Sequence, residues 1–297
     1  MIAAAGVDYR SLRSVLETPI LDRHKWAKVS GLPADAVLLD IEDSVPPQLK
    51  LEARERVVDE LRNPGRLGSK LALPRVNSLE TEWGHGDLEA VARAGASAIV
   101  YPKLRSAQEL TEAKRILASE GAEPDLLVVV ETARALIELE SIARVDGLRG
   151  FLFGPSDLAV DAGISLFGDD GLNRDAYHYP KSKLVLTAAA YGLAAIDIVF
   201  VPDIRDLERV RRELAICRRL GFTGCATFYP PHLDAINETF SPSSEELDQA
   251  RSVVQAYEHA VKAGAAAVKI EGRALIVQDY KRALAVLDKE RARDGLR

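Results

Sequence analysis

Cysteine, histidine and methionine are scarce in this sequence, and each shortage removes a class of function. The 297 residues hold two cysteines, five histidines and one methionine. Cys217 and Cys225 do not make a disulfide framework, and no C-x-x-C pair is present to bind zinc or run thiol exchange. So few cysteines fit a reducing compartment, with the cytoplasm as the default expectation. His24, His85, His178, His232 and His259 are scattered, with no two at metal-ligand spacing, and are read as ordinary surface or core residues. Positive charge is not in excess either. The formal charge is −6, so nucleic acid is not expected as a partner. No apolar run reaches membrane-spanning length, so no membrane partner is expected. The start, Met1 to Arg10, lacks the charged segment and long apolar core of a signal peptide. Ser156 lies between Gly154 and Asp157 but not in a G-x-S-x-G elbow, and no histidine is indicated as its base.

What the chain does have is apolar strand-like runs that end in charge. Leu126–Val130 leads to Glu131-Thr132, and Phe151-Leu152-Phe153 leads through Gly154-Pro155-Ser156 to Asp157. A run apolar at every position predicts a strand covered on both faces, as in parallel sheets flanked by helices. Further runs of this kind are Ser14–Thr18, Ala36–Glu42, Leu71–Val76, Ala98–Lys103, Ala195–Phe200 and Thr223–Tyr229. Between them lie helical patterns, such as Leu49 to Leu61 with Ala53, Val57, Val58 and Leu61 at helical spacing, and Asp206 to Leu220 stopped by Gly221. Eight strand–helix units predict a closed (β/α)8 TIM barrel, an α/β fold, over residues 1–240. After Phe240, Ser243 or Ser244 is placed to cap a helix running toward Lys262. Gly264 breaks it, Ala265–Ile270 has the pattern of a short strand, and Gly272 turns the chain into a last helix. Residues 241–297 are therefore expected to form a C-terminal helical extension, long enough to reach another subunit.

Barrel enzymes place their chemistry at the C-terminal ends of the strands. Here those ends carry Glu42, Asp43, Arg75, Lys103, Glu131 and Asp157. Two carboxylates on successive strands, Glu131 and Asp157, suit one Mg²⁺, which takes oxygen ligands and keeps several waters. Arg75 suits a substrate carboxylate, because guanidinium offers two parallel hydrogen bonds. Each residue also has a structural reading. Glu131 and Asp157 could cap the helices that follow them, as could Glu42 and Asp43; Arg75 could make an ion pair; Lys103 could be a solvated loop charge. Lys50 and Arg54, one turn apart, are read as a solvated helix face.

Asp35–Val45, followed by Lys50 and Ala53-Arg54, resembles the citrate lyase β-subunit-like branch of the citrate lyase/2-oxo acid aldolase superfamily. Pro74-Arg75-Val76-Asn77, Tyr101-Pro102-Lys103, Val130–Ala133 and Phe153–Leu158 follow in that family's order, as do Gly221–Gly224 and Phe240–Ser243. The resemblance implies a barrel with C-terminal helices, assembled as a trimer or hexamer. It implies carbon–carbon bond making or breaking beside a carbonyl of a small carboxylate substrate, commonly an acyl-CoA thioester. By motif, Glu131 and Asp157 would bind Mg²⁺, Arg75 would hold the substrate carboxylate with Gly154, Pro155 and Ser156 lining its site, and Glu42, Asp43 and Lys103 would complete the catalytic set.

The sequence departs from the family at three places. Arg13-Ser14 leads to Glu17-Thr18-Pro19-Ile20 in place of an apolar strand and Pro-Gly, which adds an acid near the first strand end. Cys225 and Phe228-Tyr229-Pro230 replace a lysine and Ile-His-Pro. Ile276 stands where relatives carry an aspartate that serves thioester chemistry from a neighbouring subunit. An alkyl side chain has no proton to transfer. The alternatives carried forward are a CoA-independent aldolase for 4-hydroxy-2-oxo acids and a non-catalytic binding or subunit protein on the same barrel.

Overall fold

The computed structural model describes residues 7–169, 171–262, 268–270 and 273–295. Eight strands close into one all-parallel barrel: β1 (Ser14–Pro19), β2 (Ala36–Asp40), β3 (Leu71–Arg75), β4 (Ala98–Tyr101), β5 (Asp125–Val130), β6 (Leu148–Phe153), β7 (Ala194–Ile198) and β8 (Gly224–Thr227). Each neighbour in sequence is a neighbour in the sheet, and β8 returns to β1 with Leu16 opposite Thr227. The expected (β/α)8 class is the observed one.

The helices that cover the barrel follow the sequence pattern. After β1 come only a single α-helical turn, Arg23–Trp26, and a short 3-10 turn, Val29–Gly31. Then follow α1 (Lys50–Arg62), α2 (Gly84–Arg93), α3 (Ala107–Ser119), the short α4 (Ala133–Ile137) and α5 (Leu139–Ala143), α6 (Pro155–Ala162), α7 (Arg174–Tyr191), α8 (Leu207–Leu220) and α9 (Leu233–Phe240). Helix α8 begins where Asp206 accepts the Arg209 amide and ends at Gly221, whose φ of 106° an L side chain would resist. Helix α1 differs from its expected amphipathic reading. Its buried stripe is Lys50, Ala53, Val57 and Glu60, so two charged residues face inward with the apolar ones.

Strand alternation arranges the barrel interior in layers. Val15, Leu38, Leu73, Val100, Val129, Leu152, Ile196 and Ala226, one per strand, belong to a single buried cluster. Truncating one such residue, for example Leu38→Ala, costs about 2–5 kcal/mol. Two residues further along each strand, the same inward register reaches the C-terminal rim. There it presents Glu17, Asp40, Arg75, Pro102, Glu131, Gly154, Ile198 and Phe228. Apolar packing gives way to charge at four of these eight positions, Glu17, Asp40, Arg75 and Glu131.

The chain separates into two compact units, Met1–Asn237 and Glu238–Arg297. In the second, α10 (Ser244–Lys262) and α11 (Val277–Gly295) pack through Ala250, Ala283 and Leu287, and Tyr257 stacks on Tyr280 with ring centroids 4.7 Å apart. Ser243 and Glu246 form a reciprocal capping box at the start of α10, which places the cap on the first of the two expected serines. Val268–Ile270 pairs antiparallel with Arg273–Leu275. The expectations for Gly264, Ala265–Ala267 and Gly272 lie outside the described residues.

Candidate active site

The rim is built from β2 outward. Asp40 ends β2 with no exposed side-chain surface, and its carboxylate holds three donors. The amides of Glu42 and Ser44 fold the following loop over it at 2.9 Å each, and Arg75 Nε donates at 2.7 Å from the register partner on β3. Burial alone would raise the Asp40 carboxyl, but Arg75 and Ser44 outweigh it and hold it below its ordinary value. Arg75 Nη2 donates to Glu17 on β1 at 2.8 Å, and Nε lies 3.6 Å from Glu42 Oε2. The Glu42 oxygen is buried with no hydrogen bond. Arg75 is thus an ion-paired member of the fold, and of its nitrogens Nη1 is the one with no hydrogen-bond partner among the described residues.

Lys103 ties two loops together. Its φ of 50° is unusual for a residue with a side chain and turns its backbone amide onto Glu131 Oε1 at 2.6 Å. Its Nζ sits 2.5 Å from Glu42, 2.7 Å from Asp43 and 4.0 Å from Asp157. Burial would lower the ammonium pKa, and the hydrogen bonds to Asp43 and Glu42 more than reverse this. Lys103 is therefore not a solvated loop charge. Burial pushes the Glu42 carboxyl up to about 7, against the pull of Arg75 and Lys103.

Glu131 follows β5, and Asp157 lies in the first turn of α6 beyond the adjacent β6. Neither acts as a helix cap. Thr132 caps α4 by accepting the Ala135 amide, Asp161 accepts that of Ala133, and the N-cap of α6 is Gly154 with no side-chain bond. Gly154 is glycine for a steric reason: a Cβ there would stand 2.6 Å from Glu131 Cβ and 2.7 Å from its Oε2. Pro155 starts α6 and accepts the Tyr177 hydroxyl, while Ser156 is exposed beside Asp157. Burial pushes Glu131 up to about 8; the Lys103 amide lowers it in part, and the charges of Asp157 and Glu42 raise it again.

These donors fit a hard cation. All are oxygens, and a buried carboxyl among other acids needs an added positive charge to ionise. No group of three His, Cys, Asp or Glu side chains converges at metal distance among the described residues. A pair of carboxylates with waters is the arrangement that suits Mg²⁺.

Four of the residues that build the rim were not in the expected set, or were misread. Asp40 and Glu17 are Arg75's carboxylate partners; the period-two alternation from Leu38 and Val15 was the available signal. Lys50 is corrected from a solvated face to a buried ammonium that donates to the carbonyls of Ile41 and Glu42 and to Asn77 Oδ1. Arg54 is likewise turned inward, onto buried Asp87 at 2.6 Å. The cue was a helical stripe with a charge at its first position. His232 is buried between Thr227 and the Ile204 carbonyl, as an ordinary core histidine.

Fold and rim together define an α/β-barrel protein with an acid-rich mouth built around one buried arginine. The chain belongs to the HpcH/HpaI aldolase/citrate lyase family, which it matches over residues 14–230. The (3S)-malyl-CoA thioesterase of Cereibacter sphaeroides is 34% identical over 263 residues, covering 88% of each chain. Citrate lyase subunit beta of Escherichia coli is 30% identical over 288 residues, covering 94% of this chain and 93% of that one. Among solved structures, CitE of Mycobacterium tuberculosis in complex with magnesium, acetoacetate and coenzyme A has a TM-score of 0.78 at 28% identity, covering 94% of this chain and 98% of the other. No helix among the described residues is long and apolar enough to cross a membrane.

Proposed function

We propose that this protein is a Mg²⁺-dependent carbon–carbon lyase or aldolase that acts beside a carbonyl in a small carboxylate substrate. The observation that carries the proposal is the barrel mouth itself, where Glu131 after β5 and Asp157 after the adjacent β6 share one rim with Arg75 at the end of β3. Glu131 and Asp157 would hold the ion, which supplies Lewis-acid polarisation of a carbonyl when bound. Arg75 Nη1 would bind the substrate carboxylate, with Nε and Nη2 locked on Asp40 and Glu17. Lys103 holds Glu42 and Asp43 in place, and Glu42, with its carboxyl near neutrality and one free oxygen, is suited to take or return a proton. Gly154 leaves room for Glu131, and Pro155 and Ser156 would border the substrate.

A CoA thioester is supported as substrate by the names of the relatives. Thioester hydrolysis is the second reading, favoured by the (3S)-malyl-CoA thioesterases at 34% identity. Two local features weigh against it. Ile276 brings an exposed alkyl side chain to the position before α11, and the nearby Asp279 accepts the Ile276 amide at 3.1 Å, which commits it to the start of its own helix. A CoA-independent aldolase for 4-hydroxy-2-oxo acids uses the same rim and remains the third reading. Assembly as a trimer or hexamer and a cytoplasmic location belong to the same proposal.

The deciding experiment incubates purified protein with Mg²⁺ and (3S)-malyl-CoA or a panel of hydroxy-oxo acids. Cleavage to two carbon fragments supports the lyase reading. Release of free CoA with malate at rates typical of enzymes, ~1–10³ s⁻¹, refutes it in favour of hydrolysis, and loss of that rate in Asp279→Asn would identify the acid responsible. Turnover of no compound in either set, with Mg²⁺ bound, supports the non-catalytic alternative.

A further inference from the structure

We propose that Glu17 is a specificity-determining residue: a built-in carboxylate partner of Arg75 that makes the mouth favour substrates with one carboxylate over those with two. The inference rests on the reading of the rim as a carboxylate site and goes on to name the charge it accepts.

Glu17 is not needed to orient Arg75. Asp40 does that from the register-paired position on β2, with a 2.7 Å bond to Nε and no solvent exposure. Asp40 is itself fixed by two backbone amides. Glu17 comes from β1, one strand beyond β2, in the same inward register, and takes Nη2 at 2.8 Å. Its side chain keeps 20% of its surface exposed, against 10% for Arg75 and none for Asp40, so of the two carboxylates it is the one that faces solvent. Burial raises the Glu17 carboxyl above its ordinary value although Arg75 opposes this, so its charge is only partly satisfied there. A guanidinium free on that side would present two parallel donors to a carboxylate. With Glu17 on Nη2, one of the guanidinium's donors is taken and its charge is already partly matched, so an incoming carboxylate meets a weakened anchor.

The surrounding charge acts in the same direction. Glu17, Asp40 and Glu42 all lie on Arg75, and Asp43 and Asp157 lie on Lys103 beside Glu131, so the cations of the mouth are already matched by acids before a ligand arrives. Like charges in a partly buried site are screened poorly. Each additional ligand carboxylate therefore meets repulsion, and Glu17 is the acid bonded to the anchoring guanidinium that can be removed without touching Asp40, which orients Arg75, or the proposed metal pair.

Calorimetry in the presence of Mg²⁺ tests this with 2-oxopentanoate and 2-oxoglutarate, which share a five-carbon 2-oxo skeleton and differ by one carboxylate. The full-length protein is expected to bind 2-oxopentanoate more tightly. Glu17→Gln, which keeps an acceptor for Nη2 but removes the charge, is expected to shift the preference toward 2-oxoglutarate by about tenfold, ~1.4 kcal/mol. Glu17→Ala should shift it at least as far, and Arg75→Ala should lose both ligands. If wild type binds the ligands and Glu17→Gln leaves the preference unchanged or moves it the other way, the role of Glu17 is overturned and the carboxylate site stands. If neither ligand binds wild type or the Glu17 variants, the carboxylate-site reading falls and the inference falls with it.

Discussion

A methyl group added at Gly154 would enter space that Glu131 already fills. Gly154→Ala is therefore expected to displace the Glu131 carboxylate, weaken Mg²⁺ binding at least tenfold by calorimetry and cost about 1–3 kcal/mol of stability. Removing the donors directly is a stronger test. A Glu131→Gln/Asp157→Asn double variant should show no Mg²⁺ heat at concentrations that saturate the wild type; unchanged affinity would remove the metal from the proposal. Arg75 has two parts to separate. Arg75→Lys keeps one positive charge for Asp40 but loses the planar fork, so turnover should fall by about tenfold to a hundredfold, on the order of 1–3 kcal/mol. Arg75→Ala strands the buried Asp40 carboxylate and should also destabilise the fold, by about 3–5 kcal/mol in denaturant titration. A lysine variant with normal turnover would leave Arg75 as an ion pair of the fold alone.

Between elements, the largest unexpected feature is a buried polar cluster behind the barrel wall. Lys181 on α7 bonds Asp197 on β7 at 2.6 Å, and the Cys217 thiol of α8 donates to the same carboxylate at 2.7 Å. Burial pushes the thiols of Cys217 and Cys225 well up, so neither is a ready nucleophile at neutral pH. The cluster pins two helices to β7, and its worth follows from pairing: one charge without the other is stranded. Lys181→Met is expected to lose about 3–5 kcal/mol in denaturant unfolding. Lys181→Met/Asp197→Asn should recover most of that, since both charges are then gone. A double variant as unstable as the single one would mean that shape, not charge, is what the pair supplies.

For the whole molecule, the proposed Mg²⁺ site would couple metal binding to stability. Glu131 and Asp157 belong to different strand–helix units, so an ion held by both favours the closed barrel over the unfolded chain. With Mg²⁺ at a hundred times its dissociation constant, the gain is about 2.7 kcal/mol. For a chain of this size that should raise the barrel's melting temperature by roughly 5–10 °C. A chelator should reverse the shift, and the Glu131→Gln/Asp157→Asn variant should show none. A wild-type melting curve that ignores Mg²⁺ would count against a site shared between strands.

Much of this was determined by sequence alone, because it depends on local periodicity. Unbroken apolar runs such as Leu126–Val130 specify doubly covered strands, Asp206 and Gly221 bound a helix, and eight such units leave a closed barrel as the arrangement that covers every strand. The rim acids and Arg75 were visible as charges placed at strand ends. What only the tertiary structure decided was which charges meet. Arg75 finds Asp40 through strand register and Glu17 from β1, 58 residues away in sequence. Lys103 reaches Glu42 and Asp43 across the mouth because one residue with positive φ aims its amide at Glu131 and its ammonium at the neighbouring loop. Lys50 looked like surface because a helical pattern reports which face is apolar, and burial of a charge depends on acceptors such as Asn77 that another loop supplies. Periodicity is a property of one segment, whereas the pairing of a buried charge is set by segments far apart in the chain.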